Sequence, residues 1–300
     1  VFSGAIHRVD GTVGEMGGPC VVVDERDNIL GSGFYNPHAK IAVRILDHRR
    51  STDLEFTPRP LKDLARQRLV AAVARRKALG LPHDETTAYR VCHGEGDLLG
   101  GLVVDKLGSI AVMGIRSRAM YEVREDLARI VAGVLDVETV AYSVDEQSSK
   151  LEAIPTGTEL LIGSAPAPFE VLECGVRYGV DLSRLSKTEL YLIQRDNRRR
   201  FASLAVGHDV LDLYSGVGGF GLHAAKAGAS SVMCVDASEP ACAAATANAS
   251  ANRVSAKFNV ECGDAMVYLK EARAQGRTWT RIVCDPPPFA RGRAHVKDAQ

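Results

Sequence analysis

The sequence lacks an excess of charge of either sign and lacks any long apolar run. Its 300 residues include 37 Lys or Arg and 37 Asp or Glu. This balance excludes a general basic coat for nucleic acid, so any RNA binding must use a local patch. No apolar run approaches the roughly 18 residues that a membrane span needs, and no segment resembles a signal peptide, so we expect no membrane partner.

The cysteines lack the spacing of a zinc site or of a disulfide framework. They stand at seven scattered positions: Cys20, Cys92, Cys174, Cys234, Cys242, Cys262 and Cys284. No Cys-x-x-Cys pair or Cys/His cluster is present in the sequence. We therefore predict no metal site, and reduced, mostly buried thiols in a cytoplasmic protein.

The apolar pattern that is present divides the chain into three predicted parts. Short strands separated by turns over residues 1–50, then a helix from Leu61 to Leu79, predict a small β-barrel or β-sandwich domain over residues 1–80. Residues 81–183 combine further strands with one helix, about Ala119–Leu135, and predict a central α+β module.

In the last part of the chain, the pattern of apolar residues changes. After a hairpin around Glu173-Cys174-Gly175 closes the central module, strands alternate with helices over residues 184–300. This alternation predicts an α/β domain with a doubly wound, parallel, Rossmann-like sheet. Ligands of such sheets lie at the carboxyl ends of the strands, so the residues that follow each strand are the candidate site.

A glycine-rich loop follows the first strand of this predicted sheet. Gly216, Gly218 and Gly221 match the pattern G-x-G-x-x-G, which alone would indicate a dinucleotide. Asp212, just before the loop, would repel a pyrophosphate but attract a sulfonium and an ammonium. The loop, with Tyr214 at its start, therefore favours S-adenosylmethionine (SAM). The alternative is a strand-to-helix turn without a ligand.

Acidic residues follow the second and third strands as well. Asp236 is placed to accept hydrogen bonds from both ribose hydroxyls of the cofactor, although it could instead be the N-cap of the next helix, in competition with Ser238. Asp264 could accept a hydrogen bond from the adenine amino group, or equally cap the helix that follows.

The fourth strand leads into the most specific motif in the chain, Asp285-Pro286-Pro287-Pro288-Phe289. The prolines stiffen the loop, and the aromatic ring offers a face to a planar base. The motif resembles the one that amino-group and RNA-base methyltransferases place beside the target base. We predict Asp285, Pro286 and Phe289 as catalytic residues, and Asp285 also as a cofactor contact, with a proline-rich connector as the alternative.

A polar segment precedes the first strand of the predicted sheet. Gln194, with Asp196 or Asn197, is interpreted as a gate over the cofactor, and the nearby arginines as phosphate contacts. The alternative is the solvated basic face of an ordinary helix.

Together these motifs resemble the bacterial large-subunit ribosomal RNA cytosine-5 methyltransferases that carry an N-terminal PUA domain. The resemblance implies a class I SAM-dependent fold, RNA as substrate, and a PUA-like, RNA-binding role for residues 1–80. It rests on segments spread over the chain: Val1–Ile6, Gly33–Arg44, Tyr89–Asp97, Gly101–Asp105, Lys187-Thr188, Gln194–Arg198, Asp285-Pro286-Pro287 and Phe289-Ala290.

The family's chemistry implies a cysteine nucleophile, whose thiolate adds to C6 of the base and makes C5 reactive. In the family this residue lies at the end of a fifth strand, and here the sequence stops 15 residues after Asp285. Together with the missing initial Met, this predicts a chain cut at both ends, with an incomplete sheet and its nucleophile beyond residue 300. Cys284 is expected to be a structural thiol.

Other functions stay open at this point. The loop Gly216–Phe220 is also similar to that of the uracil-5 RNA methyltransferases, and an RNA-binding protein without catalysis is a further alternative. Asp212 and the Asp285 motif disfavour an NAD-dependent enzyme. Residues 1–80 hold 13 Lys or Arg against 9 Asp or Glu, which predicts weak, salt-sensitive RNA binding. The oligomeric state stays open, a homodimer being one option.

Overall fold

The computed structural model describes residues 1–11, 14, 17–48, 56–164, 167–182 and 190–287. The chain divides into two compact units, one of Val1–Ala167 with Leu182–Lys187 and the other of Pro168–Asp181 with Thr188–Gln300. Within the described ranges, no helix is both long and apolar enough to cross a membrane.

The first unit begins with an antiparallel sheet of three strands. These are β1 (Gly18–Val23), β2 (Ile29–Tyr35) and β3 (Val43–Asp47), paired in that order. Gly33 allows the close pairing of β2 with β3, because a Cβ there would lie 2.0 Å from the carbonyl oxygen of Arg44. The three strands confirm the sequence pattern, while closure into a barrel stays a prediction.

The first unit continues with one long helix, a five-stranded sheet and three short helices. They are α1 (Leu61–Ala78), β4 (Ala88–His93), β5 (Leu102–Leu107), β6 (Ile110–Ile115), α2 (Arg118–Glu122), α3 (Arg124–Leu135), β7 (Thr139–Val144), α4 (Glu146–Glu152) and β8 (Gly157–Ile162). The sheet order is β4-β5-β6-β7-β8, with only the β6–β7 pair parallel. The sheet is therefore mixed, with three of its four strand pairs antiparallel.

The prediction of one helix over Ala119–Leu135 is wrong. The chain leaves helical geometry at Val123, where φ is −107° and ψ is 17°, and α3 starts anew at Arg124. The Arg124 guanidinium then lies 4.3 Å from the centre of the Tyr121 ring. Apolar residues keep helical spacing through this corner, so the spacing alone conceals the break.

The hydrophobic core of the first unit contains residues from both sides of the predicted domain boundary at residue 80. Leu64, Ala65 and Leu69 on α1 are buried in the same cluster as residues of the five-stranded sheet, and Leu46 on β3 joins them. The buried Glu152 also accepts hydrogen bonds from Asn36 and Arg44. Residues 1–80 and the central sheet thus pack as one compact unit, and the three-domain division stays a prediction.

A buried carboxylate fastens α1 to the central sheet. Asp97 accepts hydrogen bonds from Arg75 at 2.5 Å, from Arg76 at 2.6 and 2.7 Å, and from the amide of His93 at 2.7 Å. Burial opposes ionisation of this carboxyl group, but the bonds from the two arginines and the amide outweigh it and hold its pKa at about 2.

The depressed pKa of Asp97 gives the fold a defined response to acid. The ionised group stabilises the folded state above its ordinary pKa of 3.8, and this contribution disappears as the pH falls through about 2. We expect Asp97→Asn to lower the free energy of unfolding by about 3 kcal/mol at neutral pH, because it breaks a buried ion pair. It should also flatten the loss of stability between about pH 4 and pH 2.

Denaturant titrations followed by circular dichroism at several pH values measure both effects. The control is Asp126→Asn, which removes an exposed partner of Arg129 on α3 and should change the stability by less than about 0.5 kcal/mol. Equal losses in the two variants would show that burial of the Asp97 pair contributes nothing.

The second unit contains a hairpin and a parallel sheet with helices. Its elements are β9 (Phe169–Glu173), β10 (Val176–Val180), α5 (Arg195–Leu204), β11 (Asp209–Leu213), α6 (Gly219–Ala227), β12 (Ser231–Asp236), α7 (Glu239–Ala251), β13 (Phe258–Cys262), α8 (Ala265–Ala274) and β14 (Arg281–Cys284). The sheet order is β13-β12-β11-β14, all parallel. Because β12 and β14 lie on opposite sides of β11, the connections reverse direction there and open a crevice at the carboxyl ends of β11 and β14.

The sequence pattern predicts that the hairpin β9–β10 is part of the central module, but the structure places it in this second unit. Asn248 on α7 accepts a hydrogen bond from the Gly179 amide at 3.0 Å, and Asn252 exchanges two bonds with the backbone of Arg177. Alternating apolar residues identify the hairpin correctly but do not show which core it joins.

Candidate functional site

The ends of the four parallel strands bring the predicted acidic residues to one edge of the sheet. In the β-sheet register, Leu213 pairs with Val235 on one side and with Cys284 on the other, so Tyr214, Asp236 and Asp285 follow at the same level. This edge is the crevice of the strand-order reversal, where α/β sheets bind ligands.

Asp212 lies underneath the glycine-rich loop. Its side chain is almost fully buried, and Oδ2 accepts a hydrogen bond from the Gly221 amide at 2.8 Å. This bond fixes the loop to the end of β11, and the same oxygen is also contacted by the Cys234 thiol of β12 at 3.9 Å. Direct attraction of a cationic ligand by Asp212 stays a prediction.

The glycines of the loop adopt backbone positions that other residues rarely take. Gly216 has φ 54° and Gly218 has φ 82°, both in the left-handed region. A Cβ at Gly221 would lie 2.5 Å from the Cys234 sulfur, whereas one at Gly216 would meet nothing within 4 Å. The loop is thus packed tightly on its sheet side and open at Gly216, which is the arrangement a closely approaching ligand needs. Tyr214 itself has φ 58° at the start of the loop.

Asp236 and Asp264 differ in their local roles. The N-cap of α7 is Ser238, so Asp236 is free of that role, and it accepts hydrogen bonds from the amides of Gly216 at 2.8 Å and Ser238 at 2.9 Å. Asp264 is the N-cap of α8, where Oδ1 accepts from the amides of Met266 and Val267, both at 2.9 Å. Both bonds use Oδ1, so Oδ2 is the atom that can face an adenine amino group.

The segment before α5 reaches the end of β14. Gln194 donates from Nε2 to Oδ2 of Asp285 at 3.0 Å, and Asn197 donates to Oε1 of the same glutamine at 2.6 Å. The sequence predicted both Gln194 and Asp285 as site residues, and the structure brings them together. Asp196 instead pairs with Arg195. Pro286 follows Asp285 at the edge, and Phe289 lies outside the described residues.

The electrostatics of this edge fit a cationic ligand. Burial raises the pKa of Asp212 to about 7, opposed by the Gly221 amide and Arg198 and reinforced by the charges of Asp285 and Asp236. Three carboxylates therefore act on one small region. These carboxylates would repel a pyrophosphate. The sulfonium and ammonium of SAM would attract them and reduce the repulsion between them. The residues present fit this cofactor.

Sequence patterns did not single out a buried polar cluster below the loop. Glu173 on β9, Arg198 on α5 and His223 on α6 are all buried, and Arg198 lies 2.9 Å from Glu173. Tyr178 on β10 donates to the carbonyl of Gly219 at 3.4 Å, and Asn248 donates to the carbonyl of Val217 at 3.2 Å. The available signal was Glu173 itself, a charged residue at an inward position of an alternating strand.

The prediction that the thiols are mostly buried is wrong. None of the seven cysteines, all of which lie among the described residues, forms a disulfide, and three of them are buried: Cys92, Cys234 and Cys242. Cys262 and Cys284 are exposed, because each ends a strand at the open edge of the sheet rather than in its core.

Comparison with known protein families and proteins found matches along the whole chain. A PUA-like domain family matches residues 1–48, and a family described as conserved hypothetical protein 95 matches residues 197–299. Ribosomal RNA large subunit methyltransferase I of Photobacterium profundum is 32% identical over 304 residues, and that of Shewanella amazonensis is 33% identical over 305 residues. Each alignment covers 100% of this chain and 74% of the relative.

Solved structures share the fold. A Streptococcus mutans protein described as a SAM-dependent methyltransferase superposes with a TM-score of 0.77 at 23% identity, over 90% of this chain and 68% of that one. A methyltransferase complexed with S-adenosylhomocysteine (SAH) gives 0.78 at 24% identity, over 91% and 69%. Fold and site together define a SAM-dependent methyltransferase. The chain belongs to the family of ribosomal RNA large subunit methyltransferase I.

Proposed function

We propose that this protein transfers a methyl group from SAM to C5 of a cytosine in large-subunit ribosomal RNA, in the cytoplasm. SAM-dependent methylation of ribosomal RNA is the activity named for the family to which the chain belongs. The choice of cytosine C5 rests on the Asp285-Pro286-Pro287 motif and its resemblance to the cytosine-5 enzymes.

The cofactor would lie along the glycine-rich loop. Asp236 would accept from the ribose hydroxyls, Asp264 from the adenine amino group, and the backbone of Tyr214, Gly216 and Gly218 would border the methionine part, above Asp212. When bound, SAM supplies a methyl group that its cationic sulfur makes electrophilic.

The target base would lie beside Asp285. Its carboxylate is held by Gln194 through Oδ2, which leaves Oδ1 to accept from the exocyclic amino group of cytosine. Pro286 fixes the backbone at this point, and Phe289 is proposed to cover the base. The covalent activation of C5 requires a cysteine thiolate, which the family resemblance assigns to a strand after β14.

One observation supports this function more than any other: the hydrogen bond between Gln194 and Asp285, next to the loop that Asp212 and Asp236 fasten. It joins the predicted cofactor gate to the predicted base-binding acid at the edge where α/β sheets bind ligands.

RNA recognition is proposed for residues 1–80, as a PUA-like barrel with the following helix. The match of residues 1–48 to a PUA-like domain family supports this assignment. The modest basic surplus of this region supports weak, salt-sensitive contacts with the RNA backbone, and binding largely by shape.

Nucleoside analysis of large-subunit RNA tests the proposal. RNA from cells that lack the gene should contain one fewer 5-methylcytidine than RNA from the parent, and the intact gene should restore it. Loss of 5-methyluridine instead would favour the uracil-C5 alternative. Unchanged RNA would favour an RNA-binding protein without catalysis.

Removal of the proposed ribose contact should weaken cofactor binding. Asp236→Ala removes hydrogen bonds between hydroxyls and a charged group, which contribute about 1.5–3 kcal/mol, and also frees the Gly216 amide. We expect the dissociation constant for SAH, measured by calorimetry, to rise by roughly 10- to 150-fold. Glu239→Ala, an exposed acidic residue at the start of α7, is the matched control and should leave it within about twofold. Equal affinities for Asp236→Ala and the control would remove Asp236 from the site.

A further inference from the structure

A buried ion pair lies below the glycine-rich loop and outside the parallel sheet. Glu173, at the end of β9, has a side chain that is 0% exposed, and Arg198 on α5 has one that is 5% exposed. Arg198 donates to Oε1 of this carboxylate at 2.9 Å. His223 on α6 places Nε2 3.3 Å from the same oxygen. One carboxylate of the hairpin thus contacts two helices that border the site.

Arg198 also sets the position of the helix that follows the loop. A Cβ added at Gly219, the first residue of α6, would lie 2.6 Å from Nε of Arg198 and 2.7 Å from its Cζ. The guanidinium therefore occupies the space directly beside the loop's end, and it donates a second bond to the carbonyl of Leu190 at 2.6 Å. Any shift of the arginine would move α6 or be blocked by it.

Arg198 directly follows Asn197, one of the gate residues, in the sequence. Asn197 and Gln194, which hold Asp285, lie in and just before the first turn of α5. Because Arg198 anchors that turn to Glu173, this buried pair helps to set the distance between the gate and the glycine-rich loop, together with the contact of the Phe201 and Phe220 rings between α5 and α6.

We propose that Arg198, held by Glu173, is the positioning residue that locks the gate helix α5 to the glycine-rich loop. The hairpin β9–β10 then contributes to the geometry of the cofactor site, because it carries Glu173. This inference rests on the proposed function, since it takes the loop to be the SAM site. A buried ion pair is costly to desolvate, and an apolar pair of the same size would hold a fold as well. The fixed geometry of a guanidinium between a carboxylate and a loop is what the apolar pair could not supply.

Calorimetry with SAH on the 300-residue chain tests the proposal. Glu173→Gln and Arg198→Lys should each raise the dissociation constant at least tenfold at full stoichiometry. Glu170→Gln is the matched control, because Glu170 pairs with Arg177 on the same hairpin, where both side chains are about half exposed, at 51% and 56%. It should leave the dissociation constant within about twofold.

Stoichiometry separates positioning from simple stabilisation. If the pair only stabilises the fold, the variants will show fewer binding sites but an unchanged dissociation constant, and the inference is wrong. Gly219→Ala gives an independent route if either variant fails to fold. Alanine favours a helix over glycine, so weaker SAH binding there would come from displacement of Arg198, and unchanged binding would contradict the proposal. If the wild-type chain itself binds no SAH, the proposed function fails rather than this inference.

Discussion

Cells whose only copy of the gene carries Asp285→Asn should fail to methylate large-subunit RNA. The asparagine can still accept the bond from Gln194, so the local geometry is kept. It loses the negative charge and replaces an acceptor by a donor toward the base. We expect methyl transfer to slow by about 10²- to 10⁴-fold, the usual range for losing a group that acts in the transition state.

The same substitution should affect cofactor binding far less than methyl transfer. Calorimetry with SAH on the Asp285→Asn chain should give a dissociation constant raised by less than about tenfold, because one of the three charges at the edge is lost but no proposed contact to the ribose or adenine is. Asp209→Asn, an exposed aspartate at the amino end of β11, is the control and should restore methylation fully. Restored methylation by Asp285→Asn would exclude this residue from catalysis.

SAM binding should become tighter as the pH rises through about 7, where Asp212 ionises. Burial is the main reason for the raised pKa of Asp212, about 7 against the ordinary 3.8. A cationic ligand favours the ionised form, so below pH 7 the affinity should fall by up to about tenfold per pH unit. Binding near neutral pH should release a proton, measurable by calorimetry in buffers of different ionisation enthalpy.

Asp212→Asn should remove this dependence. At pH 8 it should weaken SAM binding about tenfold or more, while at pH 6 the difference from wild type should shrink, because wild-type Asp212 is then mostly protonated. In the ligand-free protein, the raised pKa of Asp212 makes the folded state less stable at high pH than at low pH, whereas SAM binding becomes tighter at high pH. Its contribution is complete below the ordinary pKa of 3.8 and is lost as the pH rises through about 7. Asp209→Asn should keep the wild-type profile, and the same profile in Asp212→Asn would refute the assignment.

The parallel half of the fold was predictable because its pattern is local. Each strand is a short apolar run, and the helices α6, α7 and α8 start after a glycine, a serine and an aspartate, respectively, at the N-cap. The order of the strands, and hence the meeting of Gln194 with Asp285, follows from the general topology of such sheets. Asp264 could not be decided from sequence, because the same carboxylate can cap a helix and face a ligand.

Other parts of the molecule depend on contacts that no local pattern encodes. Helix α4 has a polar sequence without apolar spacing, and its one local signal is the cap that Asp145 forms with the amide of Ser148. Strand β8 is mostly exposed, so it lacks a buried face. Glu173 and Arg198 are 25 residues apart, and only the packing of the hairpin against α5 and α6 brings them together.

Calorimetric titration of the 300-residue chain with SAM and, separately, with NAD tests the central claim most directly. The site is argued to be a cation-binding edge, with Asp212, Asp236 and Asp285 around a glycine-rich loop. We predict one SAM bound per chain in the micromolar range at pH 8, and no heat from NAD at the same concentrations. Binding of NAD with no binding of SAM would show that the loop serves a dinucleotide, and would contradict the account.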